Sequence, residues 1–193
     1  MTLSDRIRVH DVRLLSDNHY TLKTTTFEWR RANGEWQTQR RETYDRGNGA
    51  VLLPYNLAQR SVVLVKQFRY PAYVNGYDGL MIEAAAGLLD NASPEARIRA
   101  EAEEETGYRL GEITKVFEAF MSPGSVTEKL HFFVAEYEAK MRVGAGGGIE
   151  AEGEEIEVLE LAIDAALAMI ADGRIVDAKT IMLLQHAALN IFR

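Results

Sequence analysis

Apolar and polar positions alternate along residues 20–31 (YTLKTTTFEWRR) and 35–44 (EWQTQRRETY), both rich in β-branched and aromatic side chains, which predicts two strands. Asn33-Gly34 between them predicts a tight hairpin, because both turn positions favour positive φ. Asp45-Arg46-Gly47-Asn48-Gly49 reads as a loop and divides an N-terminal β extension (1–44) from a main domain (45–193). Residues 50–55 and 61–69 (SVVLVKQFR) predict two strands, the second so continuously apolar that it belongs in the middle of a sheet. Residues 113–121 and 129–137 predict strands around a loop at Ser122-Pro123-Gly124-Ser125, and 155–161 predicts another. Helical periodicity covers Ile163 to Ala171 and Ala178 to Phe192. In mid-chain, Gly87-Leu88-Leu89-Asp90 suggests a tight turn, Ser93-Pro94-Glu95 a helix start, and Thr106-Gly107 a glycine stop. Strands followed by helices, with one helix in mid-chain, predict an α/β (α+β) fold: an α/β/α sandwich with a mixed sheet, preceded by an antiparallel β extension.

Composition narrows what such a fold can do. A chain of 193 residues accommodates one well-packed domain with an extension. Its net charge of −7 argues against a nucleic-acid or anionic-membrane surface. The absence of cysteine excludes a disulfide framework, a zinc thiolate site and a thiol nucleophile. No apolar signal segment follows Met1, and no run reaches the length of a membrane span, so the expected compartment is the cytoplasm.

The candidate chemistry lies in the mid-chain helix, which carries Glu101, Glu103, Glu104 and Glu105. Spacings of three and four residues place Glu101, Glu104 and Glu105 on one face, where like charges repel. A hard divalent cation removes that repulsion and takes carboxylate oxygens as ligands, which makes the run a magnesium-site candidate. A solvated acidic helix face is the competing reading. The glycine-rich stretch from Gly144 to Glu155 invites two readings as well, a mobile surface linker or a hinged lid that delivers a carboxylate to bound substrate.

The segment Gly87 to Tyr108 (GLLDNASPEARIRAEAEEETGY) resembles the Nudix box, G-x5-E-x7-R-E-U-x-E-E-x-G-U with U apolar. Aligned from its C-terminal end, Glu101, Ala102, Glu104, Glu105, Gly107 and Tyr108 match. The stretch is one residue short, lacks the early glutamate, and has Ala100 where the consensus has arginine, so Arg97 or Arg99 has to take over the task of holding the carboxylates. The similarity extends through LSDNHYTL (15–22), RRETYDRGNGA (40–50), VKQFRYP (65–71), AAGLLDN (85–91), MSPGSVTE (121–128), GAGGGIE (144–150) and EEIEVLEL (154–161) to the nucleoside-diphosphate-sugar branch of the Nudix hydrolases, which includes ADP-ribose pyrophosphatases.

The resemblance implies a Nudix α/β/α sandwich that hydrolyses a nucleotide-sugar pyrophosphate with Mg²⁺, Mn²⁺ being a possible substitute. The implied substrate is GDP-mannose, split to GMP and mannose 1-phosphate. ADP-ribose or another ADP-sugar is the alternative, and a nucleotide-sugar sensor without turnover is a third reading. It also implies a homodimer that exchanges the N-terminal extension. Glu101, Glu104 and Glu105 are the implied metal ligands, joined by the Ala86 carbonyl and Glu154. Glu154 is the first candidate for the base. Two extra residues near Gly153 leave Glu152 as its competitor, and Glu105 belongs to the catalytic set. Arg69 is a candidate phosphate clamp. Ala86 and Gly87 beside it, with His19, Arg40, Arg41, Glu42, Glu128 and Lys179, are further substrate-contact candidates. Glu103 is expected to be a solvated bystander, and His10, His131 and His186 to be structural.

Overall fold

The computed structural model describes residues 2–89, 92–149, 151 and 153–193. The chain divides into two units, one of residues 1–48 with 120–129 and one of 49–119 with 130–193.

In the first unit, β1 (Ile7–Asp17), β2 (Thr21–Arg30) and β3 (Trp36–Asp45) form an antiparallel sheet in that order. The β2–β3 hairpin falls where the sequence predicts it, with Trp36 opposite Arg30 and Asp45 opposite Thr21. Its turn is not the two-residue kind expected of Asn33-Gly34. Of the two, only Gly34 has positive φ (89°). Asn33 works through its side chain instead, accepting the Glu35 N–H on Oδ1 and donating to the Glu35 carboxylate from Nδ2.

Strand β1 is not among the strands predicted from the sequence, which assigns no element of the extension before residue 20. Its apolar residues Ile7, Val9, Val12 and Leu14 are interrupted by register shifts between Val9 and Asp11 and between Leu14 and Ser16. A bulge moves the following side chains to the other face, so strict alternation is lost while pairing survives.

In the second unit, β4 (Gly49–Asn56), β5 (Ser61–Gln67), β6 (Met81–Glu83), β7 (Ala85–Leu88), β8 (Thr114–Phe120), β9 (Lys129–Glu136) and β10 (Glu157–Ala162) form a mixed sheet. The main order is β10-β5-β4-β9-β8, and only β4–β9 of the registered pairs is parallel. Strands β4 and β5 pair at Tyr55–Val62 and Asn56–Ser61, then separate. The space between them is filled by β6 on β5 and β7 on β4. Gly87 and Leu88 therefore lie in β7, not in the tight turn expected at 87–90, of which Asp90 is outside the described residues. The run Met81 to Leu88 is too short and alanine-rich to declare two strands by periodicity.

Helices α1 (Tyr70–Val74), α2 (Pro94–Thr106), α3 (Ile163–Ala171) and α4 (Ala178–Asn190) complete the unit. Ala50 and Leu52 of β4 share a core with Ile98 and Ala102 of α2 and with Phe133 and Ala135 of β9. The opposite face of β9 presents Phe132, which packs on Phe117, itself in contact with His186 of α4. Helices thus cover both faces, and the unit is the α/β/α sandwich that the order of elements predicts. Among the described residues, no helix is long and apolar enough to cross a membrane.

Candidate active site

Helix α2 is fixed at both ends by its sequence. The Ser93 hydroxyl accepts the Ala96 N–H, Pro94 occupies the first turn, and Gly107 ends the helix at φ 77°, a conformation that glycine adopts without steric cost. A Cβ at Gly107 would also strike the backbone of Gly144.

Residues 143–148, at the start of the glycine-rich stretch, are tied to the end of α2. The N–H groups of Val143, Gly147 and Gly148 donate to the carbonyls of Gly107, Glu105 and Glu104. Those carbonyls stand at a helix C-terminus, where no intrahelical donor is available to them. Gly146 has φ 71°, and a Cβ there would enter the Glu105 and Thr106 backbone. Glycine is required because backbone lies against backbone. Low complexity in a sequence cannot distinguish that requirement from flexibility.

The acidic run separates into different environments. Glu101 and Glu105 are 8% and 3% exposed, whereas Glu104 is exposed. Glu103 is engaged by Arg109 at 2.7 and 3.0 Å. Glu101 lies directly over Gly87, where any Cβ would collide with its carboxylate. Arg97, one turn earlier, pairs with Glu101 and donates from Nε to the Leu88 carbonyl at 3.1 Å. Arg99 turns away to Glu95 and to the carbonyls of Leu110 and Gly111. Of the two arginines, Arg97 is thus the one that pairs with a box carboxylate, Glu101, from four residues earlier on the preceding turn.

Burial, and then the neighbouring Glu101 charge, push Glu105 up to about 8. The Ala86 N–H, donated to Glu105 Oε2 at 3.2 Å, and the Arg69 charge oppose that rise, while the Glu154 charge adds to it. Glu154 is therefore within electrostatic reach of Glu105. Its Oε2 accepts the Ile149 N–H at 2.9 Å, and the absence of a side chain at Gly148 leaves room for its carboxylate. Glu152, its competitor, lies outside the described residues.

Two cations meet on a further acid, Glu83, and the charge of one of them, Arg69, acts on Glu105. Arg69 Nε and Lys179 Nζ donate to opposite oxygens of Glu83, each at 2.7 Å. Lys179 also reaches Asp177 Oδ1 at 2.9 Å, and Asp177 Oδ2 caps α4 through the Thr180 N–H and hydroxyl. Glu83 and Asp177 were missed in the sequence, although a signal existed for Glu83. It is the one charged residue in the apolar run Leu80 to Leu89, where an ionised side chain needs partners.

The remaining candidates belong to the first unit. Arg41 and Glu42 line a groove of about 620 Å³ with Phe120 and residues 123–127. The loop 122–127 is held to β3 by Tyr44 N–H to Ser125 O and Thr127 N–H to Tyr44 O. Glu128 pairs with Arg46 at 3.5 Å, and Arg40 donates to the Thr24 hydroxyl. His19 is exposed beside Tyr20, their ring centroids 4.3 Å apart. Residues 40–48 and 121–128, both within the sequence resemblance, thus meet in one unit. In the other, Gly87 lies against Glu101 and the Ala86 N–H against Glu105, the Arg69 and Glu154 charges act on Glu105, and Lys179 meets Arg69 on Glu83. His10 pairs with Glu28, His131 with Glu118, and His186 contacts Asn190.

The donor set fits a hard divalent cation: two buried carboxylates on successive helical turns, in mutual repulsion and with a third acid within reach. Among the described residues, no three acidic or histidine side chains enclose an ion by themselves. Substrate phosphate and water would have to complete the coordination, which is the usual arrangement for Mg²⁺.

Comparison with known proteins gives concordant results. Residues 6–44 match the model of the GDP-mannose pyrophosphatase NudK N-terminal domain. A GDP-mannose pyrophosphatase of Pectobacterium atrosepticum is 54% identical over 189 residues, 97% of each chain. Those of Salmonella typhimurium and Klebsiella pneumoniae are 52% and 53% identical over 95% of this chain, and 96% and 92% of their own.

Proposed function

This chain belongs to the GDP-mannose pyrophosphatase family of Nudix hydrolases, and we propose that it splits GDP-mannose with water into GMP and mannose 1-phosphate. The carrying observation is the buried Glu101–Glu105 pair with the Arg69 charge acting on Glu105 and Lys179 joined to Arg69 through Glu83. Carboxylates that repel one another in a desolvated place are stabilised by a divalent ion, and the adjacent cations suit the diphosphate of the substrate. The magnesium ion, held by Glu101 and Glu105 with Glu104 and the Ala86 carbonyl as further candidates, would polarise phosphoryl oxygens.

The chain's own residues divide the other tasks. Arg97 orients Glu101, and the Ala86 N–H orients Glu105. Arg69 and Lys179 neutralise phosphate charge. Glu154, fixed by the Ile149 N–H, is the proposed acceptor of the water proton. Arg40, Arg41, Glu42, Glu128 and His19 are proposed to contact the nucleotide. The exposed Val9, Val12 and Leu14 of β1 support a homodimer built through the N-terminal sheet.

The test is to incubate the protein with Mg²⁺ and, separately, GDP-mannose, ADP-ribose, ADP-glucose or a nucleoside triphosphate, and to identify products by chromatography. GMP with mannose 1-phosphate as the fastest outcome is expected. Preferred cleavage of ADP-ribose would reverse the substrate assignment. Glu154→Gln and Glu152→Gln in the same assay identify the base, with a loss on the order of a hundredfold expected for Glu154.

A further inference from the structure

We propose that Glu83 is the positioning residue that holds Arg69 and Lys179 as a paired cationic clamp for the substrate diphosphate, an inference that rests on the hydrolase reading above. Glu83 ends β6 and is 3% exposed, yet both of its oxygens are occupied by side-chain cations from separate parts of the chain. Arg69 follows β5, and Lys179 lies in the first turn of α4.

The geometry of each contact leaves binding capacity. Arg69 uses Nε on Glu83, and among the described residues no hydrogen bond takes its two terminal amino groups. Those groups are the part of the guanidinium that grips phosphate. Lys179 gives two hydrogen bonds, to Glu83 and Asp177, and an ammonium carries three donors. Asp177 is itself fixed by capping α4, and the Thr180 hydroxyl in that cap accepts the Ala84 N–H at 2.7 Å. The chain of bonds thus returns to the residue next to Glu83.

Glu83, on this geometry, does not bind substrate. It removes the freedom of two long side chains before substrate arrives, so that less conformational entropy is lost on binding. Its burial makes the ion pairs less screened than surface pairs, and the opposing Asp177 keeps the group of four side chains near neutrality.

The decisive experiment measures GDP-mannose turnover and, independently, GDP binding by calorimetry in the presence of Mg²⁺. Glu83→Gln is expected to raise KM for GDP-mannose and weaken GDP binding about tenfold each, with kcat altered less than about threefold. In an Arg69→Ala/Lys179→Ala background, Glu83→Gln is expected to add less than about twofold, because the residues through which it acts are gone. Retention of its full effect in that background, or unchanged GDP binding in the single variant, overturns the proposal. Should Glu83→Gln lose its native circular dichroism, Glu83→Asp carries the test, with a loss of about threefold or more required. A wild-type protein that hydrolyses no nucleotide sugar defeats the hydrolase reading, while the GDP titrations still decide the role of Glu83. Failure of the wild type to bind GDP would defeat the clamp.

Discussion

The two units carry their charged residues in contrasting ways. In the second, Glu83, Glu101 and Glu105 are buried, and each is fixed by a named partner: two cations for Glu83, Arg97 for Glu101, the Ala86 N–H for Glu105. In the first, Arg41, Glu42 and His19 are exposed or border an open groove, and loop 122–127 is held by two backbone hydrogen bonds with help from Asp45. The difference separates two requirements. Stabilising charge during a reaction needs groups oriented in advance and partly withdrawn from water. Contacts that grip the rest of a substrate can be solvated, because they act equally on the ground and transition states.

The largest effect should follow from neutralising the most buried member of the helix pair. Glu105→Gln is expected to lower kcat on the order of a thousandfold, with little change in circular dichroism, because the amide keeps the side chain's shape and its bond from Ala86. Near-normal turnover would remove Glu105 from the ligand set and place the reactive charge elsewhere.

A smaller effect should separate Arg97 from Arg99, both of which the sequence offers as replacements for the arginine absent at position 100. Arg97→Ala removes the partner of Glu101 and the tether to the Leu88 carbonyl. It is expected to reduce kcat/KM about tenfold to a hundredfold and to raise the Mg²⁺ concentration needed for half-maximal rate. Arg99→Ala breaks contacts to Glu95, Leu110 and Gly111 and should cost stability of about 1 kcal/mol while leaving turnover within about twofold. Steady-state kinetics at varied Mg²⁺ compare the two. Equal losses would mean that neither arginine has a specific duty toward Glu101.

The legibility of these features in the sequence follows the same division. The limits of α2, the pairing of β2 with β3 and the helices at the C-terminus could be read because capping residues, turn signals and periodicity act locally. Strand β1 could not, since its bulges break the alternation. Nor could β6 and β7, which exist because β4 and β5 separate and leave a space between them. Glu101 and Glu105 were identifiable as a pair, but their distinction from exposed Glu104 depends on which helical stripe meets β7. The attachment of the glycine-rich segment could not be read for a related reason. Its glycines answer to carbonyls at the end of α2, more than thirty residues away in the chain.

The smallest expected effect probes the weaker attachment in the first unit. Asp45 accepts the Gly47 N–H at 3.1 Å and the Thr127 hydroxyl at 3.0 Å. The Gly47 N–H, then the Thr127 hydroxyl, hold the Asp45 carboxyl below the usual aspartate range, and the Lys23 charge adds to them. A folded-state pKa below the unfolded one means that the stabilisation is fully present above the unfolded value and is lost as pH falls through the folded value. Amide exchange at Tyr44 and Thr127, whose N–H groups hold loop 122–127 to β3, should therefore lose protection by a factor of about three as pH drops from about 5 to about 3, after correction for intrinsic rates. Amides of β4, which contribute no bond to Asp45, should retain theirs over that range. Asp45→Ala should reproduce the loss at neutral pH and abolish its pH dependence. A simultaneous fall in β4 protection would instead report acid unfolding of both units, and the proposed contrast between them would then fail.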